Sequence, residues 1–501
     1  MSLSVDRPRG TSPLDISVYP DSKELSIWVV PHTHWDREWY LPFEQFRIHL
    51  ARLMDDLLDA LEQNPSLVFT LDGQAILIED YLEIRPEQEA RLRRLIAKGR
   101  IAIGPSYVLP DEFLTGQESL IRNLLIGRQS CIRYGGTPMA AGYAPDTFGH
   151  VSQLPQILKG FGIDSFIFWR GLGDEIDRLG ALFWWQAPDG SRVLAVRLLE
   201  SYANGRDLGR WTKRDGWMLD NPELWPDMAA SRISEFLDRW KPILQRTGLR
   251  HILLGNGVDH QPIQRDLLDM LDACKRRFPD VSFRIGTYTD YVDAVRDDPG
   301  LLETFSGELV GGREACVVRG VNSTRIYLKQ ANEATERSVL TAETLASFAY
   351  LKAIADQTIN NNHSAKGSVI SYRYPRNELR LAWRELLRNQ PHDSLPGCSL
   401  DDVHIDMQQR FRAAQQIAEQ VQRDALAFLA GRTAPIKPWE DNIEKCSLIN
   451  TLPWSRRAAI ELPLPPDLQS AGSLVAETAH GSLPVQLFGP PGRRRAIVVI
   501  E

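Results

Sequence analysis

Residues Ser26–Asp36 read SIWVVPHTHWD, an apolar run that ends in histidine, tryptophan and aspartate. A run that is continuously apolar, rather than alternating, belongs to a strand covered on both faces, as in a parallel sheet flanked by helices. Seven similar runs follow: Leu67–Asp72, Arg100–Ile103, Ala141–Asp146, Ser165–Arg170, Arg192–Leu198, His251–Gly255 and Ser282–Ile285. Between them Phe43–Gln63, Pro86–Lys98, Gln117–Tyr134, Ile233–Thr247 and Ile263–Phe278 carry apolar residues three and four apart, the spacing of one helix face. The alternation predicts an α/β fold whose first domain, residues 1–290, is a β/α domain, either open or a distorted barrel.

Residues 291–430 change character. The helical stretches Ile326–Ile354, Pro375–Asn389 and Asp401–Leu429 have no strand between them, which predicts an antiparallel three-helix bundle. Past Gly431, Pro-rich turns alternate with short β patterns (LINTLPWS, AAIELPLP, SLPVQLF, AIVVIE), the opening of a β-sandwich over residues 431–501. The last pattern runs to Glu501 without a polar cap. A strand left there is an unpaired edge, so the reading expects a truncated sandwich that a C-terminal β half or a second copy of the chain completes.

Composition narrows the partners. With 43% hydrophobic residues over 501 positions the chain has material for large cores and for two to four domains. A net charge of −7 offers no basic face to a polyanion, which argues against nucleic acid and anionic membranes. No apolar run approaches the ~20 residues that span a bilayer, and the first thirty residues lack the basic and apolar regions of a secretory leader. The five cysteines are widely spread and never form a CxxC pair, against both a disulfide framework and a thiolate metal site. These features together predict a cytoplasmic protein. Of the thirteen tryptophans, Trp35, Trp39 and Trp169 stand beside polar residues near strand ends, where aromatic faces suit sugar rings.

In α/β domains the carboxyl ends of the strands carry the chemistry. Four of the predicted ends hold titratable groups: His32-Thr33-His34-Trp35-Asp36, Asp146 with His150, Trp169-Arg170, and Asp259-His260. His34 and Asp36, two apart on extended chain, point to one side and offer an imidazole and a carboxylate to one ion. Nitrogen and oxygen donors without thiolate suit zinc, and also manganese or cobalt. His32 is the candidate for orienting a ligand from behind. Taken singly, each residue has a structural alternative: Asp146 and Asp259 as helix caps, Arg170 as partner to any carboxylate. His49, His251, His363, His404 and His480 read as structural or surface residues, and Asp111 and Glu112 as additional polar contributors.

The motifs as a set resemble a known family. PHTHWDREW (31–39) and APDTFGH (144–150) look like the first and the nucleophile motifs of the glycoside hydrolase family 38 α-mannosidases, and NQPHDSLPG (389–397) is similar to their late histidine-aspartate motif. YVLPDEF, ESLIRNLL, WQAPDGSRVL and STRIYLKQAN extend the resemblance over about residues 26–460. It implies a retaining exo-α-mannosidase acting on a terminal α-linked mannose of an oligosaccharide or conjugate. One zinc per chain would be held by His34, Asp36, Asp146 and His392. The resemblance further makes Asp146 the nucleophile and Asp259 the general acid/base. Trp39 stacks on the sugar, Arg170 sits beside the nucleophile, and Asp393 bonds sugar hydroxyls. HTHWDREW and GVDH depart from the HSHNDPGW and paired-aspartate patterns of the animal members, which indicates a bacterial-type subgroup and leaves Asp259 less firmly matched than the ligands. Two other classes share these features: a metal-dependent carbohydrate deacetylase, which activates water on the metal, and a sugar-binding fragment without turnover. Release of acetate, or mannose binding without hydrolysis, would decide for them.

Overall fold

The computed structural model describes residues 25–209, 225–362, 372–431, 448–464, 466–478, 480–490 and 492–500. Cys446, His363, Glu501 and most of the loop from 202 to 227, to which sequence assigns substrate selectivity, lie outside the described residues.

All eight apolar runs contain strands. In chain order the N-terminal strands are β1 (Leu25–Thr33), β2 (Phe69–Leu71), β3 (Ile101–Ala102), β4 (Gly142–Ala144), β5 (Ser165–Phe168), β6 (Leu182–Gln186), β7 (Arg192–Arg197), β8 (His251–Asn256), β9 (Val281–Ile285) and β10 (Glu303–Ser306). They form two five-stranded sheets, one in the order β3-β2-β1-β8 with β9 also paired to β1, the other in the order β10-β6-β7-β5-β4. Every pairing but one is parallel. Among the described residues no ladder joins the two sheets. The runs are continuously apolar because the strands are covered on both sides: every residue of β2 and β5, and all but one of β1, β7 and β8, is buried.

β6 and β10 are additions to the expected set. β6 pairs antiparallel with β7 across a turn at Pro188-Asp189-Gly190, where Gly190 takes φ +87° and Asp189 accepts from Ser191 N (2.9 Å). The turn chemistry was legible, but the strand before it is short and starts just past the short helix Ile176–Leu179, which ends at Gly180. A helix at Ile76–Ile84 also escaped, since its first six residues are all buried and leave no polar face to set a period. Phe166, Phe168, Phe183 and Trp185 form the centre of the apolar cluster on the second sheet.

The helices Ile326–Asn362, Arg376–Leu387 and Asp401–Leu429 follow the expected series, the first extending eight residues beyond its reading. By packing the chain divides into two compact units, Met1–Ala334 with Glu385–Phe411, and Thr335–Arg384 with Arg412–Glu501. In the second unit Leu345 and Ala349 pack on Ala425, while Gln415 donates to Thr335 Oγ1 (2.9 Å) and Gln422 to Ser338 O (2.9 Å). The same unit carries an antiparallel sheet of β11 (Ala458–Pro463), β12 (Leu474–Thr478), β13 (Gly481–Phe488) and β14 (Arg495–Ile500), in the order β11-β14-β13-β12. This corrects the expectation of an unpaired last strand, because β14 lies between β11 and β13 and both its edges are bonded. LINTLPWS forms no strand. Among the described residues no helix is long and apolar enough to cross a membrane.

Candidate active site

The strand ends converge within the first unit. Beyond β1 and β8 the parallel pairing continues: His34 N donates to Val258 O (3.3 Å) and His260 N to His34 O (2.8 Å), bridging His34 and Asp259. Only glycine permits this approach, since a Cβ on Gly257 would stand 1.9 Å from the His32 carbonyl oxygen. The neighbours β4 and β5 bring Asp146 and Arg170 side by side. The segment 389–397 is laid against 109–111: Pro110 bridges Pro391, and His392 N donates to Leu109 O (3.0 Å). YVLPDEF is therefore the backbone bed on which the late motif rests.

Three side chains meet at one point. His34 Nε2 is 3.1 Å and His392 Nε2 3.3 Å from Asp36 Oδ1, with all three residues buried and their donor atoms within 4.8 Å of one another. Among the described residues none of these three atoms has a hydrogen-bond partner. Asp146 stands at the rim, its Oδ2 3.9 Å from His392 Nε2. Its Oδ1 accepts from Arg170 Nε (2.9 Å) and Nη2 (2.6 Å), and Arg170 Nη1 is anchored on Cys316 O (2.6 Å).

Converging buried polar atoms without partners are costly unless a ligand satisfies them. Their charges say which ligand. Burial works against a charged His34, yet Asp72 and Asp36 outweigh it and hold the imidazole well above its ordinary value. Burial likewise opposes His392, which Asp393 and Asp36 raise to about 9. Burial disfavours the charge on Asp36 too, and the two histidines hold it well below the carboxylate range. For Asp146, burial wins over Arg170 and the carboxyl is raised. A divalent cation fits this donor set, since it would replace the protons on two imidazoles and, with Arg170, oppose the upward push of burial on Asp146.

The family model described as "Glycosyl hydrolases family 38 N-terminal domain" matches residues 24–308, and "Alpha mannosidase middle domain" matches 317–429. The chain belongs to glycosyl hydrolase family 38. It is 34% identical to the "Putative mannosylglycerate hydrolase" of Halalkalibacterium halodurans over 86% of this chain and 44% of that protein. With the human "Alpha-mannosidase 2C1" identity is 25%, over 92% of this chain and 40% of the relative. This family 38 chain thus spans less than half the length of these curated relatives. A crystal structure of an α-mannosidase from Enterococcus faecalis superposes with a TM-score of 0.75 at 29% identity, covering 95% of this chain and 54% of that one.

Other residues of the family 38 motifs hold the loops. Arg37 grips Asp80 through Nε (2.8 Å) and Nη2 (3.1 Å), both side chains buried. Glu38 accepts from Arg410 (2.7 Å) and from Ser394 Oγ (2.7 Å), tying the tip of β1 to the late motif. Asp80→Ala strands the buried guanidinium and is expected to lower stability by about 3–5 kcal/mol. Urea unfolding checks this; a midpoint equal to wild type would mean that the pair contributes nothing.

Asp259 Oδ1 accepts from the Tyr202 hydroxyl (2.7 Å), and the Tyr202 ring lies against His34 with centroids 5.2 Å apart. Tyr202 was not anticipated; its only sequence signal is its place just after β7. Asp393 Oδ1 accepts from the Cys398 thiol (3.0 Å). Asp393 is raised by burial and by Asp36. Trp39 is half-buried on the loop after Asp36, edge-on to Tyr40 at 5.0 Å. Trp169 is half-buried under the Arg170 guanidinium (4.3 Å). Trp35, by contrast, is core, packed on Phe46 and His260.

His32 does not orient a ligand: its Nε2 donates to Tyr202 O (2.9 Å), and the residue behind His34 is Asp72. Asp111 and Glu112 hold backbone. The first accepts from Phe113 N and Leu114 N (2.9 and 3.0 Å), the second from Val151 N (3.0 Å) beside His150 Nδ1 (2.8 Å).

Proposed function

We propose that this chain is the catalytic portion of a zinc-dependent, retaining exo-α-mannosidase. The observation that carries the reading is the set of three buried, unpartnered metal-facing atoms of His34, Asp36 and His392 beside an Asp146 clamped by arginine. In the reading Asp146 completes the ligand set and is the nucleophile. Arg170 fixes Oδ1, so Oδ2 faces the substrate, attacks the anomeric carbon and forms a glycosyl-aspartate as the leaving oxygen departs. Tyr202 occupies Oδ1 of Asp259, so Oδ2 carries the proton that the leaving oxygen takes, and later accepts one from the attacking water. Trp39 forms the sugar platform and Asp393 bonds its hydroxyls. Bound zinc would act as a Lewis acid on the sugar hydroxyls in the subsite.

The substrate class is a terminal α-mannoside. The mannosyl activity in the names of the similar proteins supports it. The same reading includes a barrel-like closure of the two sheets, a three-helix bundle and a β-sandwich with domain limits near 290 and 430. The end of the second family match at 429 supports the limit near 430. It also includes a cytoplasmic location, with which the four described free thiols agree.

About one zinc per chain is expected on elemental analysis. His392→Ala should lose most of it, because that residue supplies one of the three converging atoms although it lies far from His34 in sequence. Activity untouched by strong chelation, with no transition metal present, would sink the zinc reading.

A further inference from the structure

His34 has two ring nitrogens, and only one can serve a metal. Nε2 is the unpartnered atom turned toward Asp36 and His392. Nδ1 lies 3.0 and 3.1 Å from the two oxygens of Asp72. A carboxylate oxygen accepts here, so this contact keeps a hydrogen on Nδ1, and the neutral ring that binds a metal then has its lone pair on Nε2.

Asp72 is itself held with unusual care. It is fully buried, and its Oδ2 also accepts from Trp35 N (2.7 Å) and from Gln74 Nε2 (2.8 Å). The Gln74 amide donates as well to Trp35 O (2.8 Å), so the carboxylate, Gln74 and the backbone of Trp35 directly after His34 form one network. The backbone bends to make it: Asp72 takes φ +47° and Gly73 φ +63° just after β2. A non-glycine residue in that region is uncommon and is kept where surrounding contacts demand it. The other histidine offers a contrast, for His392 Nδ1 is buried with no hydrogen-bond partner among the described residues.

We propose that Asp72 is a positioning residue that fixes the tautomer and ring plane of His34 and thereby sets the metal affinity of the site. The inference rests on the zinc reading above. It predicts an asymmetric site, with His34 pre-set by its carboxylate and His392 placed by its backbone and by ring packing on Phe148.

Asp72→Asn keeps the shape and removes one acceptor. With its amide oxygen toward Nδ1, its N–H groups oppose the donors of Trp35 and Gln74. With the amide nitrogen toward Nδ1, His34 must carry its hydrogen on Nε2, aimed at the metal. The zinc dissociation constant, measured by competition with a chromophoric chelator on the full chain, is expected to rise about 10–100-fold. Circular dichroism of the metal-free variant should match wild type. A second measurement needs no variant: in zinc-loaded wild type labelled with 15N-histidine, His34 should be bound through Nε2 with a protonated Nδ1. Equal zinc affinity in wild type and Asp72→Asn, or His34 bound through Nδ1, overturns the role of Asp72 and leaves the zinc reading standing. A wild-type chain that takes up no metal overturns both.

Discussion

Replacing Asp146 with alanine is expected to lower kcat on a terminal α-mannoside by on the order of 10⁴-fold or more, the loss typical of a removed nucleophile. Two effects combine in that number. The variant loses the carboxylate that attacks, and the rim of the metal group beside His392 Nε2 loses its oxygen at 3.9 Å. Loss of activity therefore does not say which role mattered, and a trapping experiment on the unmodified protein separates them. A 2-deoxy-2-fluoro or 5-fluoro mannosyl fluoride slows the hydrolysis of the intermediate, so the sugar should stay attached to a peptide containing Asp146. Arg170 makes the same prediction from geometry, because its two contacts fix one oxygen and leave the other free to attack. Peptide mass spectrometry finding the sugar on a different carboxylate would reassign the nucleophile and leave Asp146 as a ligand alone.

The second large effect is expected at Asp259, and it depends on the substrate. Asp259→Asn should slow cleavage of a mannoside with a poor alkoxide leaving group by about 10²–10⁴-fold, since that oxygen must be protonated as the bond breaks. An aryl mannoside with a good leaving group needs no such help, so its first step should be nearly unaffected and the glycosyl-enzyme should accumulate. The residue must act next as the base for water. Azide needs no base, so it should restore turnover and give mannosyl azide of retained configuration. The hydrogen bond from Tyr202 keeps the asparagine in the place of the aspartate, which makes the substitution a chemical rather than a packing change. Equal losses on both substrates without azide rescue would make Asp259 a structural residue of the β1–β8 bridge.

The strands and what they carry at their ends are written in the local sequence. Continuous apolar runs such as SIWVV and HILL are too short for helices and rich in branched residues, so they read as covered strands, and a histidine or aspartate directly after one is carried to the edge of the sheet. That local logic placed His34, Asp36, Asp146, Arg170 and Asp259, and the ordered motifs added His392 and Asp393. Trp35 is core, a choice the sequence left open because a tryptophan beside polar residues looks alike whether its ring faces solvent or Phe46. The helix at Ile76–Ile84 was hidden because its first six residues are all buried and show no period, and β6 because it is short and comes straight after a short helix.

The relations between residues with no sequence tie come from the fold. Asp72 ends a run like any other, and its pairing with His34 exists because β2 lies beside β1 and its end turns back through a left-handed residue. Tyr202 reaches Asp259, and Glu38 reaches Arg410, across gaps that no spacing rule links. The reason is physical: an element's own pattern is written in its neighbours along the chain, whereas a buried polar network is satisfied by whichever donors the fold brings within hydrogen-bond distance.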